Sequence, residues 1–506
     1  MTQKYPDGHV VFSPGTIIAS AAGEVTDVKK IVTPNLQLKD NSKILYIDFS
    51  SDSFKLGGSS YAQTKNALGD ETPTVKDVTY FKKAFNTIQQ LIEEKKILAG
   101  HDISAGGMIT ALFEMIFAEN ALSLDVDLSG IEEKNLAKLL FAENAGVLIQ
   151  VEGSEAADGL KQADIKFAEI ATVNTKLHVQ TLKLTKDGQT YSFNVDEYRD
   201  IWYESSYLLD KLQSGEEKAT ERYDNYKNQP LNFRFPGHFT GKKSQYDISD
   251  QQVRKVKAAI VREKGTNGDR EMAYSLYLAG FEVKDIHVSD LMSGRENLED
   301  VNMVVFPGGF SHSDVLGSAK GFAGAFIYNE NAKKALRNFF DRKDTLSLGV
   351  CNGCQLMIEL GLICSQDPVM PKMLHNDSHK FESGFVNVDI TDNHSVMLSS
   401  LKGSRLGIWV AHGEGKFYLP YEEKHYHIPM KYTYSGYPAN PNGSPYNTAA
   451  LCSADGRHLA MMPHLERAIF SWQWGYYPED RRQDEVSPWI EAFVNARKWI
   501  ESRPCE

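Results

Sequence analysis

Strand-like and helix-like segments alternate through the second half of the chain, and this rhythm most constrains the fold that the chain can adopt. Short apolar runs are typical of buried strands, and the amphipathic stretches between them are typical of helices. The alternation predicts an α/β domain with a doubly wound, mostly parallel sheet, in which ligands bind beyond the carboxyl ends of the strands. The segments are KAAIV (257–261), REMAYSLYLA (270–279), FEVKDIHV (281–288), VNMVVF (301–306), a helical region at 317–341 and TLSLGV (345–350).

The first half of the chain mixes strands and helices without this regular rhythm. ILYIDF (44–49) and GVLIQV (146–151) have the composition of strands. Between them, apolar residues at helical spacing from Phe81 onward predict a helix that ends near Leu98. We therefore expect three parts, which are an α+β domain (1–196), a helical linker (197–250) and the α/β domain (251–506).

Length and composition exclude several classes of protein. A chain of 506 residues is longer than one hydrophobic core usually accommodates, so more than one domain is expected. A formal net charge of −12 disfavours nucleic acid or an anionic membrane surface as the main partner. No apolar run approaches the roughly twenty residues that span a bilayer, and the N-terminus carries no secretory signal. Five cysteines do not make a disulfide framework. We expect a cytoplasmic protein.

The most informative local feature is LGVCNGCQLMIELG, residues 348–361. An apolar strand ends at Cys351, Gly353 follows, and a helix-compatible run comes next. A nucleophile on such a strand-to-helix turn is lifted out of the sheet, and the helix N-terminus favours its thiolate. The backbone N–H of Asn352 is suitably placed to stabilise an oxyanion.

Two further segments supply what a cysteine nucleophile needs. Gly308 and Gly309 end a predicted strand and allow a close approach of the backbone, so that their N–H groups can complete an oxyanion hole. His464 and Glu466 follow the apolar run LAMM and form a base with an orienting carboxylate.

Other interpretations of the cysteines exist. Cys351 and Cys354 form a CxxC pattern, which also occurs in redox and zinc sites, but the chain has no second CxxC and no cluster with metal-ligand spacing. A cysteine is most often a small buried hydrophobe. We interpret four cysteines in that way, predict no metal site, and assign the nucleophile to Cys351. The four are Cys354, Cys364, Cys452 and Cys505.

At this point the sequence resembles a known family. GVCNGCQ, PGGFSHSDVLG, AHGEGKF, YPANPNGSP, MMPHLER and REKGTNGDREMAYSLYLAGF together resemble the class I glutamine amidotransferase domain of phosphoribosylformylglycinamidine synthase. The resemblance covers nearly all of 251–506 and implies a flavodoxin-like fold. It implies that Cys351 forms a γ-glutamyl thioester and that His464 and Glu466 complete the triad. It also implies that Gln355 and the loop of His412, Gly413 and Glu414 contact L-glutamine.

One residue departs from the family pattern. The family motif reads His-Pro-Glu, whereas Leu465 stands between His464 and Glu466 here. Proline would fix φ and stiffen the segment that presents both side chains. We therefore expect Leu465 to loosen the geometry of the triad without removing a catalytic group.

The first 195 residues resemble the last synthetase portion of the same enzyme, which is itself similar to the C-terminal domain of aminoimidazole ribonucleotide synthetase. The motifs are SPGTIIASAAGEVTDVKK, LGGSSYAQ, GHDISAGGM and LFAENAGVLIQV. Gly106 and Gly107 precede a helix, a setting that can bind phosphate through backbone N–H groups, although the same glycines can simply form the turn.

The resemblance also implies that a large part of the family enzyme is missing, and we expect a C-terminal piece of it. The intact enzyme uses ATP and Mg²⁺ to convert formylglycinamide ribonucleotide to formylglycinamidine ribonucleotide in purine biosynthesis. This chain alone is expected to hold neither ATP nor Mg²⁺, and to bind formylglycinamide ribonucleotide only together with the missing synthetase domains. It is also expected to retain at most weak glutaminase activity and to have no synthetase activity. A stand-alone cysteine hydrolase and a non-catalytic docking fragment remain as alternatives.

Overall fold

A computed structural model describes residues 2–12, 19–119, 121–176, 179–247, 256–364 and 366–503. The start of the motif SPGTIIASAAGEVTDVKK, the proposed boundary at 250/251 and Cys505 lie outside these ranges. The chain divides into two compact units, Met1–Arg199 and Asp200–Glu506. The boundaries proposed from the sequence stay a prediction.

The first unit is an α+β unit with a seven-stranded sheet in the order β4-β6-β3-β7-β5-β8-β9. All neighbouring strands are antiparallel except β5 and β8. The strands are β1 (Thr2–Lys4) and β2 (Val10–Phe12), which form a separate hairpin, then β3 (Lys43–Asp48), β4 (Ala99–Asp102), β5 (Ser123–Asp127), β6 (Gly146–Val151), β7 (Ala168–Asn174), β8 (Thr181–Lys186) and β9 (Gln189–Asn194). The helices are α1 (Ser60–Thr64), α2 (Val78–Glu93), α3 (Gly107–Phe117), α4 (Leu136–Phe141) and α5 (Glu155–Gln162).

Strand β3 shows why this sheet is covered by helices on both faces. Ile44 and Tyr46 belong to a core that includes residues of α3 and α4, whereas Leu45 and Ile47 belong to a second core with residues of α2 and α5. Because side chains alternate between the faces of a strand, a continuous apolar run must bury both faces.

The helix predicted to end near Leu98 ends earlier, at Glu93. Lys95 has a left-handed φ of 58°. The N–H groups of Lys95 and Lys96 donate to the carbonyls of Ile92 and Leu91, at 2.9 Å each, which is the Schellman pattern of a helix end. The prediction placed the end too late because the spacing of apolar residues extends past Glu93 to Ile97, which is buried although it lies outside the helix.

A long helix, α6 (Val195–Asn225), follows β9 and is interrupted at Gly215, whose φ of 76° is not helical. The second unit then contains a nine-stranded sheet in the order β11-β10-β12-β13-β20-β19-β18-β15-β16 and a small pair, β14 and β17. Its strands are β10 (Val256–Arg262), β11 (Phe281–His287), β12 (Met303–Phe306), β13 (Leu346–Val350), β14 (Lys372–Leu374), β15 (Glu382–Ile390), β16 (Arg405–His412), β17 (Lys416–Tyr418), β18 (Met430–Tyr432), β19 (Thr448–Cys452) and β20 (His458–Met461).

The first five strands of this sheet are parallel, and the alternation predicted from the sequence produces them. Helices α7 (Asp269–Leu278) and α12 (Ile490–Glu501) pack together, while α8 (Val288–Met292), α9 (Lys320–Tyr328) and α10 (Glu330–Asp341) form another group that contacts α11 (Asn352–Glu359). The predicted α/β class and the glutamine amidotransferase-like architecture are confirmed.

The other half of the sheet is antiparallel, and no pattern in the sequence indicated it. In the strand order, β16 lies four positions from β20, yet Trp409 of β16 forms a bridge with His464, three residues beyond β20. The antiparallel half therefore curls back toward the carboxyl ends of the parallel strands. Among the described helices, none combines the length and apolarity that a membrane crossing requires.

Candidate active site

Cys351 occupies the predicted turn between a strand and a helix. All five residues of β13 are buried, and α11 begins at Asn352. Cys351 has φ 52° and ψ −106°, a conformation that non-glycine residues rarely adopt. A side chain at Gly353 would collide with the carbonyl of Phe306. The turn is therefore held in a strained geometry, which is common where a side chain must be presented to a ligand.

Gly308 lies beside both the proposed nucleophile and the proposed base. A Cβ atom at this position would lie 3.4 Å from Cys351 Cβ and 2.7 Å from His464 Cε1. Only a residue without a side chain leaves this space open. Three residues that are distant in sequence therefore meet at one point, at the carboxyl ends of β12, β13 and β20.

Gly309 is fixed by the loop of Thr266 and Asn267, which belongs to the motif REKGTNGDREMAYSLYLAGF but had no predicted role at the site. It has a φ of 144° and bridges Thr266, and the N–H of Asn267 donates to the carbonyl of Gly308 at 2.9 Å. The N–H of Asn352, as the first residue of α11, lies where a helix provides no internal acceptor. Its side chain donates to Gln355 Oε1 at 3.1 Å.

His464 and Glu466 form a buried hydrogen-bonded pair. His464 Nδ1 lies 2.7 Å from Glu466 Oε1, and neither residue is more than 1% exposed. Burial alone would lower the pKa of His464, but the Glu466 carboxylate and the nearby Cys351 raise it to about 9. The backbone N–H of His464 donates to the carbonyl of Trp409 at 2.8 Å, and Nε2 has no hydrogen-bond partner within the described ranges.

Leu465 does not separate the pair. It is buried and begins a short 3₁₀ turn, Leu465–Arg467. The His464–Glu466 hydrogen bond is formed with leucine at this position. The expected loosening of the triad stays a prediction.

The end of β16 forms the opposite wall of the site. The Cys351 thiol donates to the carbonyl of Ala411 at 3.4 Å. His412 follows and is buried, and burial together with His464 lowers its pKa to about 3. Gln355 Nε2 donates to the carbonyl of Glu414 at 2.8 Å, so that α11 is tied to the loop of Gly413 and Glu414.

Asn376 holds this loop, and no motif in the sequence indicated it. Its Nδ2 donates to the carbonyl of His412 at 2.7 Å, its Oδ1 accepts from the N–H of Gly415 at 2.9 Å, and its own N–H donates to the carbonyl of Gly413 at 2.9 Å. In the sequence Asn376 is one polar residue within the run HNDSHK, and its burial appears only in the structure. Trp409 and Ala411 were missed because they act through backbone carbonyls, for which the side chain gives no indication.

The remaining described cysteines differ from Cys351. Burial raises the pKa of the Cys354 thiol well above its usual value, that of Cys364 to about 11 and that of Cys452 to about 12. All are free thiols. Within the part of the chain that the structure describes, no group of three or more His, Cys, Asp or Glu residues is arranged to hold a metal ion.

The glycine loop of the first unit uses its N–H groups internally. The N–H of Gly106 donates to the Glu143 carboxylate at 2.9 Å, and the N–H of Gly107 donates to the carbonyl of Ser104 at 3.0 Å. A side chain at Gly107 would meet the carbonyl of Leu140 at 2.5 Å. The loop in this conformation does not fit a phosphate, which would have to displace Glu143. The phosphate role stays a prediction.

Comparison with known proteins gives two domain matches. Residues 255–500 match the family model of the CobB/CobQ-like glutamine amidotransferase domain. Residues 50–181 match the model of the C-terminal domain of AIR synthase related proteins.

Similarity to complete proteins extends over almost the whole chain. The chain is 39% identical, over 98% of its length, to the probable phosphoribosylformylglycinamidine synthase, chloroplastic/mitochondrial, of Arabidopsis thaliana, and spans 37% of that protein. It is 35% identical, over 98% of its length, to phosphoribosylformylglycinamidine synthase of Homo sapiens, and spans 39% of it. The solved structure of PurLQS from Thermotoga maritima is 25% identical, with a TM-score of 0.38, and the match covers 48% of this chain and 99% of that one. The resemblance inferred from the sequence is confirmed by the protein and domain matches.

Proposed function

We propose that this chain, which carries a CobB/CobQ-like glutamine amidotransferase domain at residues 255–500, hydrolyses glutamine through Cys351, His464 and Glu466. The observation that carries the proposal is the buried His464–Glu466 pair, with His464 and Cys351 both adjacent to Gly308. A nucleophile, a base and an orienting carboxylate in this order can catalyse acyl transfer.

The reaction begins with attack by sulfur on the γ-carboxamide carbon. The sulfur attacks as the thiolate, beside the His464 imidazolium and the N-terminus of α11, whose positive charges stabilise an adjacent anion. The carbonyl oxygen becomes an oxyanion, which the N–H groups of Asn352 and Gly309 stabilise. Loss of one such donor typically costs about 2.7–4 kcal/mol of transition-state stabilisation.

His464 then transfers protons in both directions. The C–N bond breaks as the imidazolium protonates the leaving nitrogen, which departs as ammonia and leaves a γ-glutamyl thioester. Neutral His464 next removes a proton from water, the resulting hydroxide attacks the thioester, and Cys351 leaves as thiolate. Glu466 keeps Nδ1 protonated, so that Nε2 faces the reacting atoms. Glutamate is the second product.

A proposal for the reaction that uses the ammonia comes from the relatives, which are named phosphoribosylformylglycinamidine synthases. The chain spans 37–40% of the length of the curated relatives that it matches. We propose that it supplies ammonia, and part of the synthetase, for conversion of formylglycinamide ribonucleotide to formylglycinamidine ribonucleotide in purine biosynthesis in the cytoplasm. In that reaction ATP with Mg²⁺ activates the amide oxygen for replacement by nitrogen. We assign neither to residues of this chain, since the loop of Gly106 and Gly107 does not fit a phosphate.

Labelling with diazo-oxo-norleucine, an electrophilic analogue of glutamine, tests the assignment. We expect mass spectrometry to find the label on Cys351, glutamine to prevent labelling, and Cys351→Ser to abolish it. Cys364 serves as an internal control, because it is half-buried and its pKa is raised to about 11. Labelling that glutamine does not reduce, or labelling at Cys364 instead, would contradict the proposal. Robust ATP-dependent amidation by the purified chain would contradict the expected absence of synthetase activity.

A further inference from the structure

A cavity of about 330 Å³ lies beside β15 in the second unit. One wall is formed by residues 382–387 of β15, and the others by α6 and by parts of 229–231 and 434–441. Among the described residues that line it are neither Cys351 nor His464. The volume is at the lower end of the range of about 300–1,000 Å³ that is typical of small-molecule sites.

Asn387 lines this cavity and has an unpaired amide oxygen. The residue is only 2% exposed. Its Nδ2 donates to the carbonyl of Pro230 at 3.0 Å, whereas Oδ1 has no hydrogen-bond partner within the described part of the chain. Buried amide oxygens nearly always accept a hydrogen bond. A molecule in the cavity that carries an N–H or O–H donor would satisfy this oxygen.

Arg222 contributes an unpaired donor to the same cavity. Its terminal nitrogens bind the Glu382 carboxylate at 3.2 Å and the Tyr437 hydroxyl, and lie 3.5 Å from the Asp210 carboxylate. Its Nε is buried and has no partner among the described residues. Because two carboxylates already neutralise the guanidinium, the cavity favours an uncharged acceptor over an anion.

The backbone of β15 has an open edge along the cavity. The carbonyl of Asn387 accepts from the N–H of Thr433 at 3.1 Å, and β18, the strand on that side in the described sheet, ends at Tyr432. Alternate residues of an antiparallel strand direct their N–H and C=O groups to the same side. Ser383 and Phe385, which both line the cavity, therefore present a donor and an acceptor each to it.

The remaining walls are aromatic and aliphatic. Tyr203 and Tyr434 are half-buried rings, and Leu231 and Val386 add apolar surface. The Tyr434 hydroxyl donates to the carbonyl of Pro230 at 2.9 Å, so this wall is held in place without a ligand. Apolar walls around a polar strand edge favour a flat, uncharged molecule with hydrogen-bonding groups on its rim.

We propose that this cavity binds a nucleobase in which an exocyclic amino group lies beside a ring nitrogen, as in adenine and cytosine. The amino group supplies the donor that Asn387 lacks, and ring nitrogen supplies an acceptor for Arg222 or for the N–H groups of β15. A peptide that adds a strand does not fit, because Thr433 already occupies the position beside Asn387. The proposal is independent of the glutaminase function.

Calorimetric titration of the full chain with four nucleosides tests the proposal. We expect adenosine or cytidine to bind one per chain with a Kd below about 1 mM, more tightly than guanosine and uridine, and glutamine not to displace it. N6,N6-dimethyladenosine and N4,N4-dimethylcytidine keep the flat ring but have no amino N–H. They should bind at least about tenfold more weakly, the effect of one lost hydrogen bond to a buried group.

Substitution of Asn387 tests the same contact from the protein side. Asn387→Leu keeps the size of the side chain and removes the acceptor, so nucleoside affinity should fall at least about tenfold, whereas the Pro230 carbonyl stays bonded to Tyr434. Asn393→Leu, outside the cavity, is the control and should bind as the wild type does. The methylated nucleosides keep the test decisive if Asn387→Leu does not fold.

Four results would overturn the proposal. They are no binding of any nucleoside, binding of guanosine or uridine alone, equal affinity for parent and dimethylated nucleosides, and displacement by glutamine, which would place the nucleoside at the active site. A chain that binds adenosine or cytidine as expected but releases no glutamate from glutamine would refute the proposed function alone.

Discussion

A methyl group added at Gly308 would push against the imidazole of His464 without requiring a new backbone conformation. The added Cβ would stand 2.7 Å from His464 Cε1, 3.4 Å from Cys351 Cβ and 3.6 Å from His464 Nδ1. Carbon atoms in good contact lie roughly 3.5–4.0 Å apart, so the ring must move by about 1 Å. Because Glu466 binds Nδ1 of the ring and the Trp409 carbonyl binds the backbone N–H of His464, the ring cannot move freely.

The expected result is a large loss of activity with a modest change in stability. A displacement of about 1 Å at a catalytic group can cost about 100-fold in rate. Overpacking destabilises by about 1–3 kcal/mol, and the lower entropy of the unfolded chain offsets about 0.4–1 kcal/mol of this. We therefore expect Gly308→Ala to lose about 100-fold in glutamine hydrolysis, measured as glutamate release, while the melting temperature falls by only a few degrees.

Gly384→Ala is the matched control, because it adds the same methyl group in the same unit to open space. It should retain wild-type glutamate release. If Gly308→Ala hydrolysed glutamine at the wild-type rate, His464 could not stand where the structure places it during the reaction.

Three further predictions concern the His464–Glu466 segment. First, the pKa of His464 is raised to about 9, so the imidazolium persists through neutral pH. In initial-rate measurements, kcat/KM for glutamine should therefore stay level up to about that pH and fall above it. A decrease that already begins near pH 6–7 as the pH is raised would contradict this. Second, Glu466→Gln removes the charge that raises the pKa of His464, so the fall in kcat/KM at high pH should begin at a lower pH. The rate of glutamine hydrolysis should also drop by about 100-fold or more. An unchanged pH profile would refute the electrostatic role of Glu466. Third, Leu465→Pro should raise glutaminase activity, because His464 already has the extended conformation that a residue before proline prefers. The same substitution should lower the melting temperature, because a buried leucine side chain is lost. Unchanged or lower activity would count against a loosened triad.

The local features of the site could be predicted from the sequence because each is encoded by a few adjacent residues. The apolar run before Cys351 and the glycine after it predict a strand, a tight turn and a helix, and all three are present. The pair of glycines at 308 and 309 and the spacing of His464 and Glu466 are equally local. Alternation of strands and helices predicts the parallel half of the sheet because crossover helices must connect parallel strands.

Only the tertiary structure could show how these pieces meet and what surrounds them. The antiparallel strands are irregularly spaced along the chain and range from three residues in β18 to nine in β15, so their pairing depends on contacts between distant residues. That pairing returns β16 to the site, where the carbonyls of Trp409 and Ala411 contact His464 and Cys351. The burial that leaves Oδ1 of Asn387 unpaired, and the carboxylate that occupies the N–H of Gly106, likewise arise from residues remote in sequence. Hydrogen bonding and charge in a folded interior depend on neighbours in space, and a linear pattern does not encode them.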